Sequence, residues 1–217
     1  MSEFDDARKH MVDSQIRPSD VTDRRVIAAF SNVPRHAFTP RSRLASAYAD
    51  SEVETGEGRR MMRPRALSKL VHEADVQADE LVLDIACGRG YSTAILARLA
   101  ETVVALEDDE ARVTRATDIL ADVGADNAAV IQGDLAKGAP GQGPFNVIFV
   151  NGGVEEVPQA WFDQLAEGGR LAVIERDGPV GRAMIYTKSG AGVSAREVFD
   201  ATPAMLPGFA APRRFAL

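Results

Sequence analysis

Three acidic residues stand where apolar runs give way to turns. Asp84 closes Leu81-Val82-Leu83, Glu107 closes Val103-Val104-Ala105-Leu106, and Gly133-Asp134 comes just after Ala129-Val130-Ile131. A carboxylate is an acceptor-only group that also attracts cations, so each position could hold a donor: an ammonium, a pair of vicinal hydroxyls, an exocyclic amine. Following Asp84 runs Ile85-Ala86-Cys87-Gly88-Arg89-Gly90-Tyr91. Glycines at 88 and 90 let the backbone bend sharply and approach a ligand closely, so a pocket is expected at this turn.

The spacing suggests a nucleoside. Thr93 occupies the place of the third glycine in Gly-x-Gly-x-x-Gly, the one needed for close helix–strand packing in dinucleotide sites. A nicotinamide dinucleotide is therefore disfavoured. S-adenosylmethionine carries no pyrophosphate and needs the loop only to pass close to its methionine half. In that reading Asp84 receives the ammonium, Glu107 the ribose hydroxyls and Asp134 the adenine amine, and Ala86, Gly88, Gly90, Tyr91 and Gly133 complete the cofactor-binding set. Alone, each marker also fits ordinary structure: glycines punctuate turns, and Glu107 beside Asp108, Asp109 and Glu110 suits a helix entry. Their joint occurrence at successive strand ends is what points to a cofactor.

For these carboxylates to meet, the apolar runs must be neighbouring parallel strands. The chain alternates accordingly: a helix from Pro64, strands at 81–83, 103–106, 129–131, 145–150 and 171–174, and helices over Ser92–Ala100, Glu110–Val123 and Ala160–Leu165. Two last strands, 183–187 and 195–199, are separated by a turn too short for a crossover helix, so the sheet should finish antiparallel. Ahead of it, apolar spacing predicts helices over Glu3–Ile16, Asp20–Val33 and Arg41–Ala49, then a loop over Ser51–Arg63. Beyond Pro203 irregular coil is expected.

With 217 residues, 45% hydrophobic and 26% charged, the chain suits one globular domain: 1–63 as helical extension and acceptor loop, 64–200 as α/β core, 201–217 as coil. Its net charge of -7 would repel nucleic acid and anionic membranes, so neither is an expected partner. The lone Cys87 cannot form an internal disulfide, and the charged first thirty residues hold no signal-peptide core, which makes cytoplasmic residence the default. His10, His36 and His72 are scattered, so no metal site is expected, and neither a Gly-x-Ser-x-Gly elbow nor a phosphate loop is present.

From about Ile16 to Ile174 the sequence resembles the protein-L-isoaspartate O-methyltransferase family. Val33-Pro34-Arg35-His36-Ala37-Phe38-Thr39-Pro40, Ala47-Tyr48-Ala49-Asp50, Gly56-Glu57-Gly58 leading to Pro64, and Asp84 through Tyr91 carry the resemblance. It implies an α/β, Rossmann-like class I methyltransferase with a doubly wound, mostly parallel seven-stranded sheet whose final strands are rearranged, and an N-terminal helical extension. It also implies S-adenosylmethionine as cofactor, S-adenosylhomocysteine as product, and isoaspartyl carboxylates of damaged proteins as acceptors.

The family's loop reads Gly-Gln-Thr-Ile-Ser-Gln-Pro, whereas this chain has Gly58-Arg59-Arg60-Met61-Met62-Arg63-Pro64. Arg60 replaces the threonine and Met62 the serine assigned to the active site, and Asn151-Gly152-Gly153 stands where the family carries Thr-Ala-Ala. Arg59, Arg60, Met61, Met62 and Asn151 are thus the expected acceptor-side residues, with Arg60, Met62 and Arg63 as catalytic candidates. Methyl transfer to a carboxylate needs no general base, since the acceptor is already ionised near neutral pH. The arginines could hold an anionic acceptor bidentately, or merely balance Glu52, Glu54 and Glu57. Two other readings stay open: a methyltransferase redirected to a small anionic molecule or another protein group, and a catalytically silent module that binds S-adenosylmethionine.

Overall fold

The computed structural model describes residues 3–56 and 58–210. Helix α1 (Glu3–Met11) runs into a π-helical turn over Val12–Ile16. The second helix, α2 (Arg24–Asn32), starts later than its apolar spacing predicts. Asp20 adopts a left-handed φ of 63°, and the Asp23 carboxylate caps the helix by accepting from the Arg25 N–H at 2.7 Å. The expected third helix is a 3-10 segment over Arg41–Ser46.

The expected loop over Ser51–Arg63 holds an antiparallel ribbon, β1 (Val53–Gly56) and β2 (Arg59–Met61). Its residues are charged and lack a two-residue apolar period, so the usual strand signal is missing. Helix α3 (Pro64–Ala74) follows, with proline in its first turn, and buries Leu67, Leu70, Val71 and Ala74 along one face. Burial of each larger side chain is worth roughly 1.5–3 kcal/mol.

Then comes the main sheet: β3 (Leu81–Ile85), α4 (Tyr91–Ala97), β4 (Thr102–Glu107), α5 (Glu110–Asp122), β5 (Ala128–Gln132), β6 (Phe145–Val154), α6 (Gln159–Asp163), β7 (Leu165–Asp177), β8 (Val180–Ser189) and β9 (Gly192–Asp200). The seven strands are ordered β5-β4-β3-β6-β7-β8-β9. The first five of that order are mutually parallel, and β8 and β9 each run antiparallel to the strand before, as the short turn between them requires.

Alternation along the strands divides the core. Val82, Val147, Phe149, Ala172 and Ile174 face one side, where α3, α4 and the N-terminal residues Met11, Ile16, Phe30 and Phe38 pack. Leu83, Ile85, Ile148, Val150, Leu171 and Val173 face the other, with Trp161 and Leu206. The N-terminal extension is therefore part of the cover on the first face. The coil after Pro203 runs beside β6, where the Gly153 N–H donates to the Ala204 carbonyl at 2.9 Å and the Leu206 N–H to the Gly153 carbonyl at 2.8 Å. Residues 211–217 of the expected coil, and Glu57, lie outside the described residues. Among the described residues no helix is long and apolar enough to cross a membrane.

Candidate functional site

Strand parity places the site. On β3, Asp84 shares the α4-side face with Val82, and on β4, Glu107 shares it with Val103 and Ala105. Both carboxylates consequently emerge on the same side at the carboxyl edge of the sheet, flanking the turn from β3 to α4. That turn is left-handed at Ala86 (φ 61°), Gly88 (φ 63°) and Gly90 (φ 91°). A side chain at 90 would place its Cβ 3.1 Å from Leu120 Cγ, whereas a Cβ at 88 would point into open space. Gly90 thus serves packing against α5, and Gly88 presents bare backbone towards the site.

Asp84 is fully buried and held by three side chains: the Ser92 and Thr93 hydroxyls donate to Oδ2 at 2.8 and 2.6 Å, and the Asn151 amide to Oδ1 at 2.5 Å. Burial pushes its carboxyl up to about 6, against the lowering effect of these donors. Asn151, expected on the acceptor side, is thereby tied to β3. The hydroxyls of Ser92 and Thr93 were visible in the sequence directly after the glycine turn, yet only the helix geometry reveals what they hold.

Glu107 is also fully buried. Its Oε1 accepts the Gly88 N–H at 2.6 Å and the guanidinium of Arg59, while Oε2 accepts the Asp108 N–H at 3.2 Å. Burial raises its carboxyl, partly offset by Arg59 and by the Gly88 N–H. Arg59, expected among the acceptor-side cations, therefore reaches inward instead. It follows an exposed glycine turn and opens β2, whose inward-facing first position aims it at β4.

This contact narrows the space directly beneath the ribbon. The cavity bounded by Arg59, Arg60, Met61, Met62, Gly88 and Asn151 measures only about 20 Å³, room for one water. The ribbon lies over this part of the turn, while Gly88 and Arg89 also line an open hollow of about 280 Å³ with Thr55, Gly56, Asp109 and Arg112. Tyr91 borders the same cavity, but its ring packs against Phe30, Phe38 and the Arg35 guanidinium, and burial lifts its hydroxyl to about 12. Cys87 is buried and its thiol pushed well up by desolvation, so it remains a neutral packing residue.

Gly133 and Asp134 follow β5 directly, and the Gly133 N–H donates to the Glu107 main-chain carbonyl at 2.8 Å. They line a separate open hollow of about 540 Å³ with Asp108, Gln132, Leu135 and Phe209. Asp134 is half exposed, caps the short helix over Leu135–Lys137 by accepting the Ala136 N–H at 3.0 Å, and lies 3.5 Å from Lys137. On the other side of Met62 a cleft of about 260 Å³ is lined by Arg63, Arg65, Lys69, Phe199, Thr202 and Glu52. Met62 lines both this cleft and the closed cavity, and is only 2% exposed, so it works as a partition. Arg60 is exposed and lies 3.9 Å from Glu52.

The protein-L-isoaspartate(D-aspartate) O-methyltransferase family model matches residues 6–198. The chain belongs to that family. A protein-L-isoaspartate O-methyltransferase of Methanoregula boonei is 41% identical over 180 residues, 82% of this chain and 81% of the relative. One of Syntrophobacter fumaroxidans is 36% identical over 194 residues, 88% of each. A solved protein-L-isoaspartate O-methyltransferase superposes with a TM-score of 0.81 at 25% identity, over 93% of this chain and 66% of the other. A Plasmodium falciparum structure of the same designation, in complex with S-adenosyl-L-homocysteine, shares the fold at a TM-score of 0.78 and 17% identity, covering 95% and 99%. In this member of the family the buried carboxylates Asp84 and Glu107 flank the glycine turn, and a ribbon carrying Arg59 and Arg60 lies above them.

Proposed function

We propose that the chain is an S-adenosylmethionine-dependent O-methyltransferase that esterifies isoaspartyl carboxylates of damaged proteins, working as a single unit over 1–217 in the cytoplasm. The observation that carries this reading is the shared emergence of Asp84 and Glu107 around the Gly88–Gly90 turn in a member of this family.

The residues fit the cofactor in kind. Glu107 offers a buried carboxylate of the sort that holds ribose hydroxyls, Gly88 leaves its side clear, and the hollow beside Gly133 and Asp134 is open. Asp84, buried and ringed by neutral donors, lends negative potential for an ammonium. When bound, S-adenosylmethionine supplies a sulfonium methyl: a carboxylate oxygen bonds to that carbon as the C–S electron pair returns to sulfur, giving the methyl ester and S-adenosylhomocysteine. The chain's own work is positioning and exclusion of water, because an ionised acceptor needs no base. Arg63, Arg65 and Lys69 give the cleft beside Met62 its cationic rim, where an anionic acceptor would dock, with Met62 and Arg60 nearest the partition.

The test is calorimetric titration of S-adenosylmethionine, then transfer of labelled methyl to an isoaspartyl peptide by the natural protein and by Arg60→Thr with Met62→Ser. Turnover by the natural protein is the expected result. Turnover only by the double variant would mean the ribbon has turned the natural chain to another anionic acceptor. Binding without turnover in both would leave a cofactor-binding module.

A further inference from the structure

A two-stranded ribbon outside a larger sheet is only marginally stable by itself. Few ties hold β1–β2 in place: the Thr55 hydroxyl donates to the Arg59 carbonyl at 3.0 Å, Arg43 meets Glu54 at 3.1 Å on the exposed side, and Arg59 meets Glu107 beneath. The segment after it is fixed, for Met62 is buried and its carbonyl accepts from Arg35 Nη2 at 2.7 Å. Buried Val53 and Met62 thus mark the fixed ends between which the rest of the ribbon lies.

Arg59 is incompletely satisfied where it lies. Its Nη1 is buried without a hydrogen-bond partner, and so is Arg89 Nε, both on residues that line the closed cavity. Burying an unmade donor costs free energy, so the closed ribbon does not hold this guanidinium with all its bonds made. Glu107 Oε1 meanwhile already receives two donors. Two vicinal hydroxyls held by one carboxylate take an acceptor position on each oxygen, and at Oε1 both are engaged.

We propose that Arg59 competes with the cofactor's ribose for Glu107, so that β1–β2 is a strap that must lift before a nucleoside can bind. The inference rests on the S-adenosylmethionine reading given above. It concerns Arg59 itself, because a neutral side chain at that position would form no ion pair with Glu107. The barrier is local: the hollows beside Asp134 and beside Gly88 and Arg89 stay open at about 540 and 280 Å³, while the cavity under the strap at Glu107's partner Arg59 is about 20 Å³. If the lifted state is populated a tenth of the time or less, apparent affinity falls at least about ten-fold below the intrinsic value.

The experiment is titration of S-adenosylhomocysteine, which undergoes no chemistry, into the natural protein and Arg59→Gln. At least about ten-fold tighter binding by Arg59→Gln is expected. Equal or weaker binding by a folded Arg59→Gln would overturn the strap while leaving the cofactor reading intact, and no binding to either protein would overturn both. Should the variant not fold, stopped-flow association with the natural protein decides. A rate that levels off with ligand concentration, limited by lifting, supports the proposal, and one that rises linearly near the diffusion limit refutes it.

Discussion

Asp84 shows how one carboxyl can be at once a site residue and a cost to folding. Its burial raises the folded value to about 6 from an ordinary 3.8, so the folded chain holds that proton more tightly than the unfolded chain. The resulting contribution to stability is fully present below about pH 4 and is lost as pH rises through about 6, on the order of 2–3 kcal/mol in all. Asp84→Asn removes the titration while keeping an acceptor for Asn151 and a group that Ser92 and Thr93 hydroxyls can turn to meet. The variant should melt several degrees above the natural protein at pH 8, with the gap closing towards pH 5. Melting curves across that range check it, and a gap independent of pH would mean Asp84 is ionised throughout. The same substitution should weaken S-adenosylmethionine binding if the carboxylate serves the ammonium.

Among the elements, the buried strands were readable and the ribbon was not. Runs such as Val103–Leu106 and Phe145–Val150 are apolar because both faces of β4 and β6 are covered, and that burial is what the sequence displays. Strand ends followed, which is why Asp84 and Glu107 could be placed beforehand. The ribbon's pairing depends instead on contacts made across the chain: Arg59 to Glu107 below it and Arg35 to Met62 behind it, neither visible in local spacing. The short helix after β5, capped by the Asp134 carboxylate, likewise leaves no trace in local spacing. Arg35 is the hinge pin of this arrangement. Fully buried, it donates to the Ala47 carbonyl at 2.8 Å and the Met62 carbonyl at 2.7 Å, and lies 4.8 Å from the centre of the Tyr91 ring. A lysine puts one compact ammonium in place of the two separate guanidinium N–H groups that meet these carbonyls. Arg35→Lys should therefore cost about 2–3 kcal/mol and speed tryptic cleavage after Arg59 and Arg60. Unchanged melting and unchanged proteolysis would show that the ribbon's anchor lies elsewhere.

At the scale of the whole molecule, a net charge of -7 sets the surroundings in which an anionic acceptor must be captured. The long-range field repels acidic peptides, so attraction has to come from cations within about a Debye length of the cleft, ~8 Å at physiological salt. Arg63 meets this need most directly, being exposed, at the mouth of the cleft and one residue from the Met62 partition. Arg65 and Lys69 are partly committed, 3.3 Å from Asp50 and 3.9 Å from Asp20. Arg63→Glu should raise KM for an isoaspartyl peptide flanked by acidic residues by roughly ten-fold or more, since one favourable interaction becomes a repulsive one of similar size. A peptide flanked by lysines should lose far less, and S-adenosylhomocysteine affinity should hold because Arg63 is not among the residues lining the cavity at the glycine turn. Added salt should weaken the acidic peptide with the natural protein and help it with the variant, since screening acts on attraction in one and repulsion in the other. If both peptides lost equally, or salt moved both proteins in the same direction, the cleft would not be where the acceptor docks, and the cationic rim would be only a counterweight to the acidic surface around it.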